Sequence, residues 1–443
     1  MAKGDENRGW TVTFAGTGIN LALGILYTWS IFKQAIQKSM EAGAPGGFAW
    51  SPAALNDPYA VCCIVFALAM VLAGKVQDRT GPRVTAFIGG ILVGLGFIWI
   101  SQTTAYLAWV LGFGVLSGLG IAFGYASATP PALKWFPPSR TGLIAGLVVS
   151  GFGLASVYIA PLSEYLVGSW GLQKAMLFFG LAFLVVVCCL SLLLVNPPPG
   201  YSPAAPAQAG GASKPVLGEE LGPAGMLKKP TFYSLWVTFF IGAGAGLMVI
   251  GSVAGLARKS MGGLAFLAVA ILAVGNAAGR IVAGFLSDKI GRKLTLTIML
   301  LFQAVLMFAA IPVTGTDSAV ALVLLATLIG FNYGTNLSLF PSFTKDLWGL
   351  KNFGLNYGLV FTAWGLGGLV MGRLSQMLKA ATGSFDSSFI TAGVLLLIGA
   401  GLSLTLKKRP RPVEEKLAPL VARAVILNRA ERAGKGQDPD KEK

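Results

Sequence analysis

The chain has 443 residues, of which 54% are hydrophobic and 12% charged, and its 34 Lys and Arg against 18 Asp and Glu give a formal charge of +16. Soluble domains carry about 25% charged residues, so lipid is the expected solvent, and the continuous apolar runs exclude the alternating pattern of a membrane barrel. There is no histidine, which removes imidazole general-base catalysis, imidazole proton relays and histidine zinc sites together.

A bilayer core about 30 Å thick takes on the order of 20 apolar residues per helix. In chain order the sequence predicts twelve such spans, at 10–36, 54–76, 84–101, 105–133, 140–166, 173–195, 231–257, 264–286, 293–313, 318–344, 353–378 and 386–406. Many of the 59 glycines fall inside them, where small residues let helices approach closely without a hydrophobic drive between them. The first span is too long and too glycine-rich at its end for a cleaved leader, and no small-residue cleavage site follows it. Cys62-Cys63 and Cys188-Cys189 lie inside spans and read as small apolar side chains, with no companion residues for a metal site.

The basic residues are one-sided. Lys75, Arg79, Arg83, Lys134, Arg140, Lys228, Lys229, Lys289, Arg292, Lys293, Lys345 and Lys351 fall in connections of one side, while the other has only Lys38, Lys174, Arg258 and Lys259. The positive-inside rule therefore places both termini and the central loop in the cytoplasm. This explains the net charge without a nucleic-acid partner. Asn196-Pro197-Pro198-Pro199-Gly200 stops the sixth span, and the Pro-, Ala- and Gly-rich stretch behind it reads as a flexible linker, 196–229. The organisation expected is a bundle over 1–195, that linker, a second bundle over 230–407 and a cytoplasmic tail over 408–443.

An internal repeat supports the two bundles. Gly74-Lys75-Val76-Gln77-Asp78-Arg79-Thr80-Gly81-Pro82-Arg83 returns 210 positions later as Gly284-Phe285-Leu286-Ser287-Asp288-Lys289-Ile290-Gly291-Arg292-Lys293. Gly120, Gly124 and Pro131 return at the same spacing as Gly330, Gly334 and Pro341. In the loop motif an Asp at a helix end can cap the next helix or pair across the bundle, so Asp78 with Arg79 and Asp288 with Lys289 are candidate latches of a two-state carrier. The alternative is that these charges only set topology.

Both loops resemble the signature loop of the major facilitator superfamily, and parallel six-helix repeats suit that fold. Gly9-Trp10, the stretch Asn20 to Phe32 and Lys134-Trp135-Phe136-Pro137 resemble the oxalate–formate antiporter branch, which is related to the monocarboxylate transporters. The resemblance spans nearly all of 8–408 and is strongest to a bacterial monocarboxylate transporter homologue. It implies an all-α integral membrane protein of twelve transmembrane helices in two pseudo-twofold six-helix bundles.

One ionisable residue, Arg280, sits well inside a span with no acid near it in sequence. A charge at that depth is costly and marks a functional cavity, and a guanidinium fork matches a carboxylate. Asn276 is one turn earlier on the same face. The resemblance implies an acid at the position of Asn276, and implies that the Arg binds the substrate carboxylate. Asn20 and Tyr27 in the first span, Tyr125 in the fourth, Asn332, Tyr333 and Asn336 in the tenth and Tyr357 in the eleventh are further polar candidates, while Met, Phe and Trp stripes elsewhere read as lipid-facing or core. By the same resemblance Leu26 stands where animal monocarboxylate transporters use a Lys in proton coupling, and Trp364 stands where oxalate carriers have a second deep cation. One cation beside an aromatic wall favours a small monoanion over a dianion.

The function expected is alternating-access transport of small monocarboxylates of the L-lactate and pyruvate type together with protons, by a multi-pass monomer of the bacterial inner membrane. An obligate exchanger of the formate and oxalate type is the alternative within transport. A channel or sensor would lack a use for the latch loops, and a membrane enzyme would need a nucleophile–base pair, metal cluster or phosphate loop that the sequence does not offer. No cofactor, metal or catalytic residue is expected.

Overall fold

The computed structural model describes residues 3–43, 45–201, 203, 220–261, 265–316 and 318–406. The regular structure of these residues is all helical. Twelve helices among them are long and apolar enough to cross a membrane: α1 (Asn7–Ala42), α2 (Ala54–Thr80), α3 (Pro82–Ile100), α4 (Tyr106–Trp135), α5 (Pro138–Trp170), α6 (Leu172–Ser191), α7 (Pro230–Ile250), α8 (Ala268–Ile290), α9 (Arg292–Gly315), α10 (Ala319–Trp348), α11 (Phe353–Thr382) and α12 (Asp386–Ser403). The tail 408–443 and linker residues 202 and 204–219 lie outside the described residues, as do the side chains of Arg258 and Lys259.

Each expected span has its helix, yet several helices run on past the expected end; α10 continues from 344 to Trp348 and α11 from 378 to Thr382. Hydropathy stops at the first polar residue. Backbone i→i−4 bonding does not, and it continues until a glycine such as Gly349 (φ 80°) or Gly383 (φ 79°) takes a left-handed conformation that turns the chain. Two local departures went unforeseen. Gly24–Thr28 in α1 is 3-10, and Val110–Ser117 in α4 is π-helical, with the Ser117 hydroxyl donating to the Gly112 carbonyl at 3.0 Å.

The helices pack twice in one pattern. In the first half α1 lies on α4 and α5, α2 on α4, and α3 on α4 and α6; in the second α7 lies on α10 and α11, α8 on α10, and α9 on α10 and α12. The halves meet through α2 against α11 and α5 against α8, two pairs that exchange when the halves exchange. Glycines make these contacts backbone to backbone. A Cβ on Gly74 would stand 2.0 Å from the Gly354 carbonyl oxygen, and one on Gly284 would stand 2.2 Å from that of Gly142. The burial pattern of 71–80 is repeated residue for residue over 281–290. The two loop motifs therefore sit at one end of the molecule, and that end is closed.

Candidate functional site

Arg280 lies at the middle of α8 against α5, and its side chain is completely buried. Gly146 and Gly153 of α5 admit it: a Cβ on Gly146 would meet the Arg280 carbonyl at 2.3 Å, and one on Gly153 would come within 3.2 Å of Nε. Nε donates to Asn276 Oδ1 at 3.1 Å, and Nη1 donates to the Val149 carbonyl across the interface between the halves. Nη2 is buried without a hydrogen-bond partner. Among the described residues no carboxylate forms an ion pair with this guanidinium. Two neutral acceptors do not cancel a buried charge, and desolvating one costs several kcal/mol. The site is thus built to receive an anion or, failing that, acceptor atoms.

Four phenols surround it. Tyr27, Tyr125, Tyr333 and Tyr357 all lie within electrostatic reach of Arg280. Tyr27 from α1 and Tyr333 from α10 share a hydrogen bond of 3.1 Å, and Trp364 Nε1 from α11 donates to the Tyr333 hydroxyl at 2.8 Å. The Tyr125 and Tyr357 hydroxyls lie near one another, but each is buried and makes no hydrogen bond of good geometry. Three unmet donor groups, Arg280 Nη2 and the Tyr125 and Tyr357 hydroxyls, are therefore gathered where the halves meet. Buried polar groups are paired in the great majority of cases, so a cluster of unpaired donors points to a ligand with acceptors.

The remaining wall is aromatic. Phe66 of α2 stands between Tyr125, Phe152, Phe361 and Trp364, with ring centroids at 5.6, 6.0, 5.2 and 5.3 Å. Sequence reading placed such Phe residues with lipid-facing or core stripes; Phe66 and Phe152 are core residues, and the part of the core they occupy is the junction of the halves. Their apolar character gave no signal that separates one helix face from another. Asn20 is diverted to structure, its Nδ2 donating to the Val148 carbonyl at 2.9 Å, while its Oδ1 stays unpartnered. Leu26 is fully buried in the 3-10 turn beside Tyr27. The Asn332 and Asn336 amides donate back to their own helix, at 3.2 Å to the Leu328 and Asn332 carbonyls respectively.

The loop motifs depart from expectation in their partners. The Asp78 carboxylate accepts the backbone N–H groups of Gly354 and Leu355, each at 2.9 Å, at the start of α11. Asp288 accepts those of Gly142 and Leu143, at 2.8 and 2.9 Å, at the start of α5. Each Asp thus caps a helix of the opposite half, not the next helix in sequence. A free helix N-terminus offers unmet N–H groups and a positive dipole end, which is why it takes a carboxylate. The basic neighbours are not the partners: Arg79 and Lys289 are exposed, and Lys289 Nζ lies 4.5 Å over the Phe285 ring. Arg292 serves Asp288 instead at 2.6 Å, and also reaches Asp346 at 3.0 Å. Pro82 occupies the matching position in the first motif, so Asp78 has no such arginine. At the same end Lys345 of α10 donates to the Thr141 hydroxyl at 2.7 Å and the Leu133 carbonyl at 3.3 Å, again across the halves.

Residues 9–372 and 267–433 match the Major Facilitator Superfamily family model. An uncharacterized MFS-type transporter of Escherichia coli strain K12, YhjX, is 30% identical over 83% of this chain and 88% of its own length. The oxalate:formate antiporter of Oxalobacter formigenes is 25% identical over 93% and 95% of the two chains, and human monocarboxylate transporter 11 is 28% identical over 91% and 84%. Among solved structures, the proton:xylose symporter XylE bound to 6-bromo-6-deoxy-D-glucose superposes with a TM-score of 0.64 at 14% identity, covering 91% of this chain and 97% of XylE. The fold is thus that of these transporters, and the relatives include both the monocarboxylate and the oxalate–formate carriers expected from the loop and first-helix motifs. The chain belongs to the Major Facilitator Superfamily.

Proposed function

We propose that this protein is a secondary active transporter of small monocarboxylates of the L-lactate and pyruvate type, moved together with protons across a bacterial inner membrane. The observation that carries the reading is the Arg280 guanidinium, fully buried between the halves with Nη2 unpartnered and, among the described residues, no acid paired to it. The flanking phenols Tyr27, Tyr125, Tyr333 and Tyr357 supply further donors, and the ring of Phe66, Phe152, Phe361 and Trp364 suits a short apolar side. Asn276 orients the guanidinium through Nε. Asn20 and Leu26 act through helix packing around Tyr27.

Alternating access follows from the interface. The α2–α11 and α5–α8 pairs close one end, which the basic loops assign to the cytoplasm. Asp78 and Asp288 latch that end by capping α11 and α5, with Arg292 as the basic partner on one side. Opening the end requires both caps to release. A carboxylate on Arg280 gives a nearly neutral complex, whereas the empty cation resists the return step. This charge balance supports net movement of acid, with no His or deep acid needed as a carrier. A monomer contains the whole site.

The test is uptake of radiolabelled L-lactate into proteoliposomes with and without an inward proton gradient, with Arg280→Ala as the control. Gradient-driven accumulation that the mutant lacks is the expected result. Equal uptake by the mutant removes Arg280 from the site. The second reading is obligate anion exchange, which the similarity to the oxalate:formate antiporter favours. An absolute requirement for an internal anion would select it. Trp364 in contact with Tyr333 argues for one carboxylate instead of two, since no second buried cation stands there.

A further inference from the structure

An indole N–H donates and cannot accept. The 2.8 Å contact from Trp364 Nε1 therefore fixes the Tyr333 oxygen as an acceptor. Tyr333 is completely buried, and its other hydrogen-bond partner among the described residues is Tyr27, at 3.1 Å. A buried phenol proton without an acceptor is unfavourable, so Tyr333 gives its proton to the Tyr27 oxygen. On its other side Tyr27 has Arg280, a cation that can only donate. Tyr333 thus directs its proton at the Tyr27 oxygen, and the Arg280 cation nearby offers it no acceptor. Tyr27's own proton is then free for another acceptor, and the nearby Cys63 thiol is only a weak one.

We propose that Trp364 is a positioning residue that orders the chain Trp364→Tyr333→Tyr27, so that Tyr27 presents a hydroxyl donor beside the unpartnered Nη2 of Arg280. Two donors, one from α1 and one from α8, then face one ligand group. An ionised carboxylate, acceptor-only with two oxygens, matches that pair of donors. Because the donors belong to opposite halves, the bound carboxylate ties the halves together across the site. The inference rests on the monocarboxylate reading above and extends it by naming the ionised form, its second ligand Tyr27, and the residue that sets the direction of the pair.

The ring of Trp364 also packs on Phe361 and Phe66, with centroids at 5.1 and 5.3 Å. Trp364→Phe keeps an aromatic there and deletes the N–H. Tyr333 can then accept from Tyr27, and the donor turns away from the ligand. The experiment is L-lactate uptake kinetics in proteoliposomes for wild type, Trp364→Phe, Tyr27→Phe, the double variant and Arg280→Ala. Loss of one hydrogen bond to a charged group is a roughly tenfold effect. KM should rise about tenfold in Tyr27→Phe and roughly threefold to tenfold in Trp364→Phe, with maximal rates within about twofold of wild type. The double variant should be no worse than Tyr27→Phe alone, since both changes remove one donor. Trp364→Leu, which also deletes the N–H and leaves the Tyr333 oxygen free to accept from Tyr27, probes the same link should Trp364→Phe fold poorly, and the same rise in KM is expected. Losses that multiply in the double variant, or an unchanged KM in Trp364→Phe and Trp364→Leu while Tyr27→Phe is impaired, would overturn the relay and leave the site intact. Wild-type uptake that Arg280→Ala does not reduce would overturn the site itself, and the relay with it.

Discussion

Asp78 and Gly354 are 276 residues apart in sequence, yet the carboxylate of one accepts the backbone N–H of the other at 2.9 Å. A single side chain on α2 thereby holds the first turn of α11 in the other half. Asp78→Asn keeps one acceptor oxygen and loses the charge facing the helix dipole, an effect of about 0.3–1 kcal/mol rising to about 2 in buried settings. Initial uptake rates should fall about threefold to tenfold, while yield in the membrane stays as in wild type. Unchanged rates would reduce Asp78 to a topology signal.

The second cap should be the more sensitive one. Asp288 is bonded by two backbone N–H groups and by Arg292, in an ion pair whose side chains are 7% and 11% exposed. Removing one partner of a buried pair leaves the other charge poorly compensated, at about 3 kcal/mol. Asp288→Asn should therefore lower the thermal midpoint of detergent-solubilised protein clearly more than Asp78→Asn. Equal midpoints would mean that Asp346 alone satisfies Arg292.

Gly142 and Gly284 exclude any side chain between them, since a Cβ on either would approach the other's carbonyl oxygen to 2.2 Å. Gly284→Ala cannot keep this contact. The variant should shift toward an arrangement with this end open, read as a longer distance between spin labels on the nearby ends of α5 and α8 in a cysteine-free background. Transport should slow, because one of the two states has been disfavoured. An unchanged distance distribution would mean that the helices slide without separating.

Asn276→Asp tests the charge economy of the site. An ionised carboxylate one turn from Arg280 would pair with it through the position where Asn276 Oδ1 now accepts from Nε at 3.1 Å. Substrate would then compete with an internal anion. Lowering the pH neutralises the new acid and frees the guanidinium, so the KM for L-lactate should be raised near neutral pH and recover on acidification. Its pH dependence should be steeper than that of wild type. A flat difference across pH 5 to 8 would show that the fourth residue before Arg280 does not address the binding edge.

The helices and the depth of Arg280 were legible because both are one-dimensional properties. Apolar length reports a span, and a lone charge inside a span reports a buried group at that depth. The repeat at Gly74 and Gly284 likewise announced two halves. Contacts between halves were not legible. Asp78 reads as a cap for the next helix or a partner across the bundle, and only the fold shows that the bare N-terminus it fills belongs to a helix beginning at Phe353. Lys289 and Arg292 are two basic residues of one helix-end motif, separated by the turn at Gly291 with φ 94°, and no spacing says that it is Arg292 that pairs with Asp288. Phe66 and Phe152 look like any lipid-facing phenylalanine until the second half is laid against them. Trp364 stood out as a substitution, while its role as a donor to Tyr333 depends on a distance that no spacing encodes.

The hydrogen bond from Arg280 to the Val149 carbonyl has a kinetic consequence. It joins α8 to α5, so any motion that parts these helices without a bound anion strands a guanidinium proton and loosens a helix carbonyl together. A hydrogen bond to a charged group is worth about 1.5–3 kcal/mol, and that added to a barrier slows a step by roughly 10- to 150-fold. On the proposed function, futile cycling of an unloaded molecule is therefore restrained by the same side chain that would bind the carboxylate, through a different nitrogen of its guanidinium.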